Sequence, residues 1–218
     1  MIVARVYKFQ GGDKMNGSCR IEGYENPLHG WFPAKDFNFG FNANSESEGN
    51  GASARGNAPV ASGRPTAPAG KGAPSSPDKN KKDEVFRAMS LSKEVDSTTC
   101  DLMFLCMEER KSKKGVDSGI RADIHVLASV DVQQQKRFIY PSVMIHLQGV
   151  RVEEWSIQGS GDDRPEETVQ LKYDKAAICY QRTPDGKTFD AAHERAWDQY
   201  NNRSWDYSFK DSPYIVRR

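Results

Sequence analysis

The residues from Val143 to Tyr180 constrain this chain more than any other stretch. Val143, Ile145 and Leu147 alternate with Met144, His146 and Gln148, the period of a strand with one buried face. After Gly149 the pattern resumes through Val150, Val152, Trp155 and Ile157. It stops at Gly159, Ser160, Gly161, Asp162, Asp163, Arg164 and Pro165, residues that tolerate positive φ or fix a turn. Thr168, Gln170 and Lys172 then alternate with Val169, Leu171 and Tyr173. From Asp174 the apolar phase slips to Ala176, Ile178 and Tyr180. A one-residue slip turns a buried face outward unless a bulge absorbs it, so a long hairpin with a β-bulge near Asp174 or Lys175 is expected.

The flanks read as further strands. Residues 2–9, Cys19 to Tyr24, Phe37 to Phe41 with its aromatic side inward, Val85 to Ser92, Ile120 to Ala128 and Arg137 to Tyr140 all have strand character. Pro141 marks an edge or a bulge. A turn is expected at Thr183 to Gly186, and a last aromatic strand at Ser204 to Tyr207. Asp96 or Ser97 caps a helix through Leu102 to Met107, which is apolar on every side and so is expected to be deeply buried. Ala191 to Tyr200 has helical composition. Many short strands with one helix predict a mostly β protein, an antiparallel two-sheet β-barrel.

Between Asn42 and Asp83 the composition changes. Thirty of these 42 residues are Gly, Ala, Pro, Ser or Asn, and Val60 is the one aliphatic residue larger than alanine. Such a stretch buries too little apolar surface to offset the entropy of ordering it. It reads as an interdomain linker or as a flexible loop inserted in one domain spanning residues 1–218. The forty or so residues before it hold strands with no evident core of their own, which favours the insertion.

Charge and motifs exclude several chemistries. With 31 Lys and Arg against 30 Asp and Glu, no basic surplus is available for nucleic acid or an anionic membrane surface. The N-terminus lacks the basic head and apolar block of a secretory signal, and Leu102 to Met107 is far too short to span a bilayer. A protein made in the cytoplasm, and exported only by another route, is expected. Gly159-Ser160-Gly161 joins two strands instead of opening a helix, so it is a turn and not a phosphate cradle. Asp162, Asp163, Glu166 and Glu167 lack the spacing of a calcium loop and read as a solvated turn. The spacings of Cys19, Cys100, Cys106 and Cys179 leave a disulfide open, while burial tendencies favour reduced, buried thiols. His125 and His146 fall on the polar phase of their strands beside Arg121 and Asp123. With no third ligand or nucleophile nearby in sequence, they read as surface histidines. Neither a catalytic constellation nor a cofactor or metal site is expected.

Four blocks, taken in order, resemble the haemolysin-coregulated protein (Hcp) family. They are the aromatic segment Trp31 to Phe41, MSLSKEVDSTTCDLMFLCM from Met89 to Met107, GSGDDRPEETVQLKYDKAAICY, and Trp205-Asp206. The loop from Asn42 to Asp83 is longer than the family usually carries, and Ser204 stands where glycine is common. The resemblance implies a structural subunit of the type VI secretion inner tube, not an enzyme. It implies hexameric rings stacked into a hollow exported tube, with a contractile sheath, a spike protein and small effectors in the lumen as partners. On that reading Arg121, Asp123, His125 and His146 are a candidate lumen or interface face, and Asn42, Val60 and Asp83 mark a candidate inter-ring loop. A secreted effector on the same barrel and a tail-tube protein of a phage-like particle are the alternatives.

Overall fold

A computed structural model describes residues 1–8, 15–26, 29–41, 86–109, 119–132, 136–183 and 188–215. Its elements are β1 (Ile2–Lys8), β2 (Phe32–Ala34), β3 (Asp36–Asn38), β4 (Met89–Glu94), α1 (Thr99–Glu109), β5 (Ile120–Val132), β6 (Lys136–Gln148), β7 (Arg151–Gln158), β8 (Glu166–Lys172), β9 (Lys175–Tyr180), β10 (His193–Asp198) and β11 (Arg203–Ser204). Two antiparallel sheets result, one of seven strands in the order β11-β10-β9-β6-β5-β1-β2 and one of four in the order β3-β4-β8-β7. The two-sheet antiparallel β architecture expected from the sequence is the one observed.

The sheets share a core made from the alternating residues of both. Ala4, Val6, Ile124, Ile145 and Leu147 come from the large sheet, and Met89, Leu91, Val169 and Leu171 from the small one. Phe32 lies wholly inside, and Phe37 and Phe39 pack against the same core.

The central hairpin differs from expectation in an instructive way. Both of its strands break at the same level and cross together from one sheet to the other. β6 pairs with β9 in the large sheet, whereas β7 pairs with β8 in the small one. The corner is built on Gly149, whose φ is 65°, and on Asp174. A side chain at Gly149 would put its Cβ 2.5 Å from Asp174 Oδ2, so glycine is required on two counts. Asp174 accepts from both terminal nitrogens of Arg151, at 3.1 and 2.8 Å, and donates its backbone N–H to Gln148 O. The phase slip at Asp174 is therefore a change of sheet and not a bulge. The register shifts lie instead between Val152 and Glu154, and between Val126 and Leu127 where Pro141 and Ser142 face β5. Because β6 is an interior strand, Pro141 sits at a bulge, and the Ser142 hydroxyl donates to the Val126 carbonyl at 3.0 Å.

Other expectations need correction. Cys19 to Tyr24 is not a strand. It turns at Gly23 and lies over the large sheet as a plug carrying Cys19 and Tyr24. Phe41 forms only an isolated bridge to Phe86, and the strand expected from Val85 begins at Met89. Ala191 to Tyr200 holds a strand, because pairing with β9 outweighs helical composition. The strand expected at Ser204 to Tyr207 ends at Ser204, where the aromatic residues leave the sheet.

Helix α1 has the expected cap. The Asp96 carboxylate accepts the Thr98 N–H and hydroxyl, and the Asp96 N–H donates to Thr99 Oγ1. It is not buried all round: Leu102 and Leu105 face the core, whereas Phe104 and Met107 face solvent. All four cysteines are free thiols, with Cys19 and Cys179 buried, Cys106 half-buried and Cys100 exposed. The residues at Asn42, Val60 and Asp83 and most of the Thr183–Gly186 turn lie outside the described residues.

Candidate functional site

Strand register brings the four polar residues of the predicted face together. Arg5 of β1, Asp123 of β5 and His146 of β6 stand directly opposite one another across three adjacent strands. Directly opposed residues on one face are neighbours, so the row becomes an ion cluster. The Arg5 guanidinium donates to Asp123 Oδ2 at 2.8 and 2.7 Å, and His146 Nδ1 donates to Asp123 Oδ1 at 2.6 Å. Arg121 and His125 flank Asp123 on the same face.

This face is covered within the protomer. Arg121, Asp123, His125 and His146 are each buried, with residues 15–26 and 29–31 lying over His125 and the C-terminal segment of residues 205–215 over both histidines. Tyr207 stacks on His146, with centroids 4.6 Å apart and planes 6° from parallel. Trp31 packs on His125 at 4.7 Å, and Tyr24 places its hydroxyl 2.9 Å from His125 Nδ1. Tyr214 accepts from Trp31 Nε1 at 2.9 Å and stacks on Tyr24. The reading of His125 and His146 as surface histidines is thus corrected: the alternation is right, but two distant segments cap the polar side. Sequence reading missed Arg5, Tyr24, Trp31 and Tyr214. Arg5 was visible in the outward phase of β1, while the capping partners lie up to 183 residues apart.

The electrostatics follow from burial and pairing. Burial pushes Asp123 up, but the hydrogen bond from His146 and the charge on Arg5 outweigh it and hold the carboxyl at about 2. Burial pushes His125 down to about 3 against the pull of Asp123, so its ring is neutral near pH 7. Asp123 spends both oxygens on Arg5 and His146, and Tyr207 closes one face of the His146 ring. The arrangement fixes strands and cap to one another and has the geometry of a structural cluster. Among the described residues no group of three or more His, Cys, Asp or Glu side chains could hold a metal ion. A cavity of about 220 Å³ lined by Tyr180, Arg182, Asp190, Ala191 and His193 lies elsewhere, with Arg182 paired to Asp190 at its rim.

A second buried cluster lies between the sheets. Lys93 and Glu167 oppose each other across β4 and β8, and both are 0% exposed. The Lys93 ammonium donates to Glu167 Oε1 at 2.5 Å, Asp96 Oδ1 at 2.7 Å and the Glu94 carbonyl at 2.8 Å, which uses all three protons. Glu167 also accepts from Thr99 Oγ1 and Trp155 Nε1, and Asp96 from Ser18 Oγ. Burial raises the Asp96 carboxyl, and its bonds to Lys93, Ser18 and Thr98 more than reverse that shift. Glu167, expected in a solvated turn, is instead wholly buried, because it continues the inward phase of Val169 and Leu171 as Lys93 continues that of Met89 and Leu91.

The turn from Gly159 to Arg164 is exposed between β7 and β8. Arg164 reaches Glu94 Oε2 at 3.3 Å, and Lys35 bridges Glu166 and Glu94 at 2.5 and 3.5 Å. These surface pairs join the turn to the end of β4.

By sequence, no family model matches the chain and no curated protein is similar to it. By structure the likeness runs almost end to end. A type six secretion system protein superposes with a TM-score of 0.57 at 14% identity, over 94% of this chain and 100% of its own. Hcp1 from Salmonella typhimurium gives 0.54 at 12% identity, over 94% and 99%. The fold is that of the Hcp proteins. A type VI secretion system effector from Yersinia pestis shares it, with a TM-score of 0.52 at 10% identity over 91% of this chain and 99% of that one. The Hcp fold accounts for the order of blocks in the sequence: β4 and α1 follow the aromatic segment, and the paired strands cross between sheets after them. No described helix is long and apolar enough to cross a membrane.

Proposed function

We propose that this chain is a structural subunit of a type VI secretion inner tube. It assembles as hexameric rings that stack into a hollow tube, and that tube is ejected with a spike by a contractile sheath. The observation that carries this reading is the extent of the likeness, 94% of this chain against 99% of Hcp1 from Salmonella typhimurium. The whole chain is one Hcp-like domain, and the 42–83 loop is an insertion between two strands that pair in one sheet, β3 and β4. The loop takes part in contacts between rings, and small effectors occupy the bore. The protein leaves the cell through the secretion system, and its role is not enzymatic.

Negative-stain electron microscopy of the purified protein, with its mass by light scattering, tests the proposal. Rings of six with an open centre are expected. A monodisperse monomer at high concentration overturns it. The second reading, a secreted effector built on the same fold, is favoured by the Yersinia pestis effector among the structural neighbours. Toxicity of the purified chain towards target cells, without rings, would select it.

A further inference from the structure

Four strands cover only part of a sheet of seven. Residues opposed in an antiparallel ladder share a face. The core side of the large sheet therefore continues from β6 through β9 to β10 in ranks: Leu147, Ala176 and Trp197; Ile145, Ile178 and Arg195; Val143, Tyr180 and His193. At β6 these side chains belong to the core. Past β9 the small sheet no longer covers them, and Tyr180 and Trp197 are 46% and 37% exposed.

Two aromatic rings thus stand on an open strand face. Tyr180 is opposite His193, and His193 and Trp197 lie on one face of β10, so the rings are about 13 Å apart along the strands. Arg195 is exposed between them, and its guanidinium donates to the Glu194 carbonyl at 2.8 Å. The Tyr180 end opens into the cavity of about 220 Å³ that Arg182, Asp190, Ala191 and His193 also line. There Arg182 Nε donates to Asp190 Oδ2 at 2.7 Å, and the Asp190 N–H donates to the Arg182 carbonyl at 3.0 Å. Side chain and backbone together hold this pair in one geometry.

The chemistry of the cavity selects its ligand. The charges of Arg182 and Asp190 cancel, so neither a strong anion nor a cation is called for. Their mutual bond uses Nε and Oδ2 and leaves the Nη groups as donors and Oδ1 as an acceptor. Tyr180 and His193 add groups that both donate and accept. Mixed donors and acceptors of balanced charge beside an aromatic face suit a ring with hydroxyls on its edge and C–H groups on its flat side. A protein partner fits less well, because the centre of a protein contact is depleted of charge, whereas Arg195 here interrupts the apolar surface.

We propose that the uncovered β9–β10 face binds a neutral oligosaccharide, with one sugar ring in the cavity against Tyr180 and the chain running along the strands to Trp197. Arg182, Asp190 and His193 bond the hydroxyls of the first ring. Arg195 donates to the hydroxyls of the stretch between the two aromatic side chains, and Trp197 stacks on a later ring. The site lies within one protomer and needs no second copy, so its failure leaves the tube reading standing.

Isothermal titration of the full chain with two neutral hexasaccharides, one of β-1,4-linked glucose and one of β-1,4-linked N-acetylglucosamine, and with the two monosaccharides, tests the site. At least one hexasaccharide is expected to bind about ten-fold or more tighter than its monosaccharide, because only the longer chain reaches both aromatic side chains. Trp197→Ala is expected to abolish that advantage and leave monosaccharide binding as it was. Tyr180→Ala is expected to abolish both. The two side chains are exposed, so circular dichroism should show the fold retained in each variant. Failure of both hexasaccharides to bind, or binding that neither variant weakens, overturns the site. Binding that high salt removes and inorganic phosphate displaces also overturns it, since that is the behaviour of a charge site.

Discussion

The two buried ion clusters are built by different means. Lys93, Asp96, Thr98 and Thr99 lie within seven residues of one another, and only Glu167, Trp155 and Ser18 come from elsewhere. That network is mostly local: a strand end, a helix cap and one cross-strand partner. The cluster on the other side of the large sheet draws Arg5 from the first strand, Asp123 and His146 from two middle strands, and Tyr207 and Tyr214 from the end of the chain. It forms only after the whole sheet has formed. The first ties α1 to the small sheet, and the second fastens the C-terminal segment down. Local pairing produces a buried charge satisfied on every proton, whereas the distant partners produce a cap whose hold depends on histidines.

The largest expected effect breaks the local cluster. Glu167→Leu leaves Lys93 buried without its closest partner and should cost about 3–5 kcal/mol, read as a lower urea midpoint. Lys93→Met with Glu167→Leu should recover most of that loss, since no unpaired charge remains.

Acid sharpens the contrast next. His125 is held at about 3 in the fold and sits near 6.5 when unfolded, so the unfolded chain binds the extra proton between these values. Stability should therefore fall with pH, by about 1.4 kcal/mol per unit below pH 6.5, and His125→Phe should flatten that slope in thermal melts. Asp123, held at about 2, contributes stability that is present above its unfolded value and is lost as pH falls through about 2.

Smaller effects mark the edges of the two regions. Tyr214→Phe removes the acceptor for Trp31 Nε1 and should cost about 1 kcal/mol, with faster hydrogen exchange confined to residues near the C-terminus. Arg164→Ala removes an exposed pair with Glu94 and should change stability by less than about 0.5 kcal/mol.

Much of the fold was legible because period-two alternation survives wherever one face of a strand is buried. β1, β5, β6 and the β7–β8 turn followed from it; of the two caps offered, Asp96 or Ser97, the structure uses Asp96, and of edge or bulge at Pro141 it uses the bulge. The misreadings share a cause. The phase slip at Asp174, the helical composition of Ala191 to Tyr200 and the all-round apolar helix are local patterns that take their meaning from a partner. At Asp174 the partner is the second sheet, at β10 it is the edge of β9, and at α1 it is the core for Leu102 and Leu105 but solvent for Phe104 and Met107.

The candidate site divides the same way. Alternation by itself determined that Arg121, Asp123, His125 and His146 share one polar face. Only the tertiary structure decided that Arg5 would stand opposite Asp123, and that Tyr207 and Tyr214 would close over the histidines. The reason is physical: a strand's own residues dictate which way each side chain points, but strand order and the path of the chain's ends dictate what it meets there. Those are settled by burial and pairing over separations of more than a hundred residues, which no local pattern records.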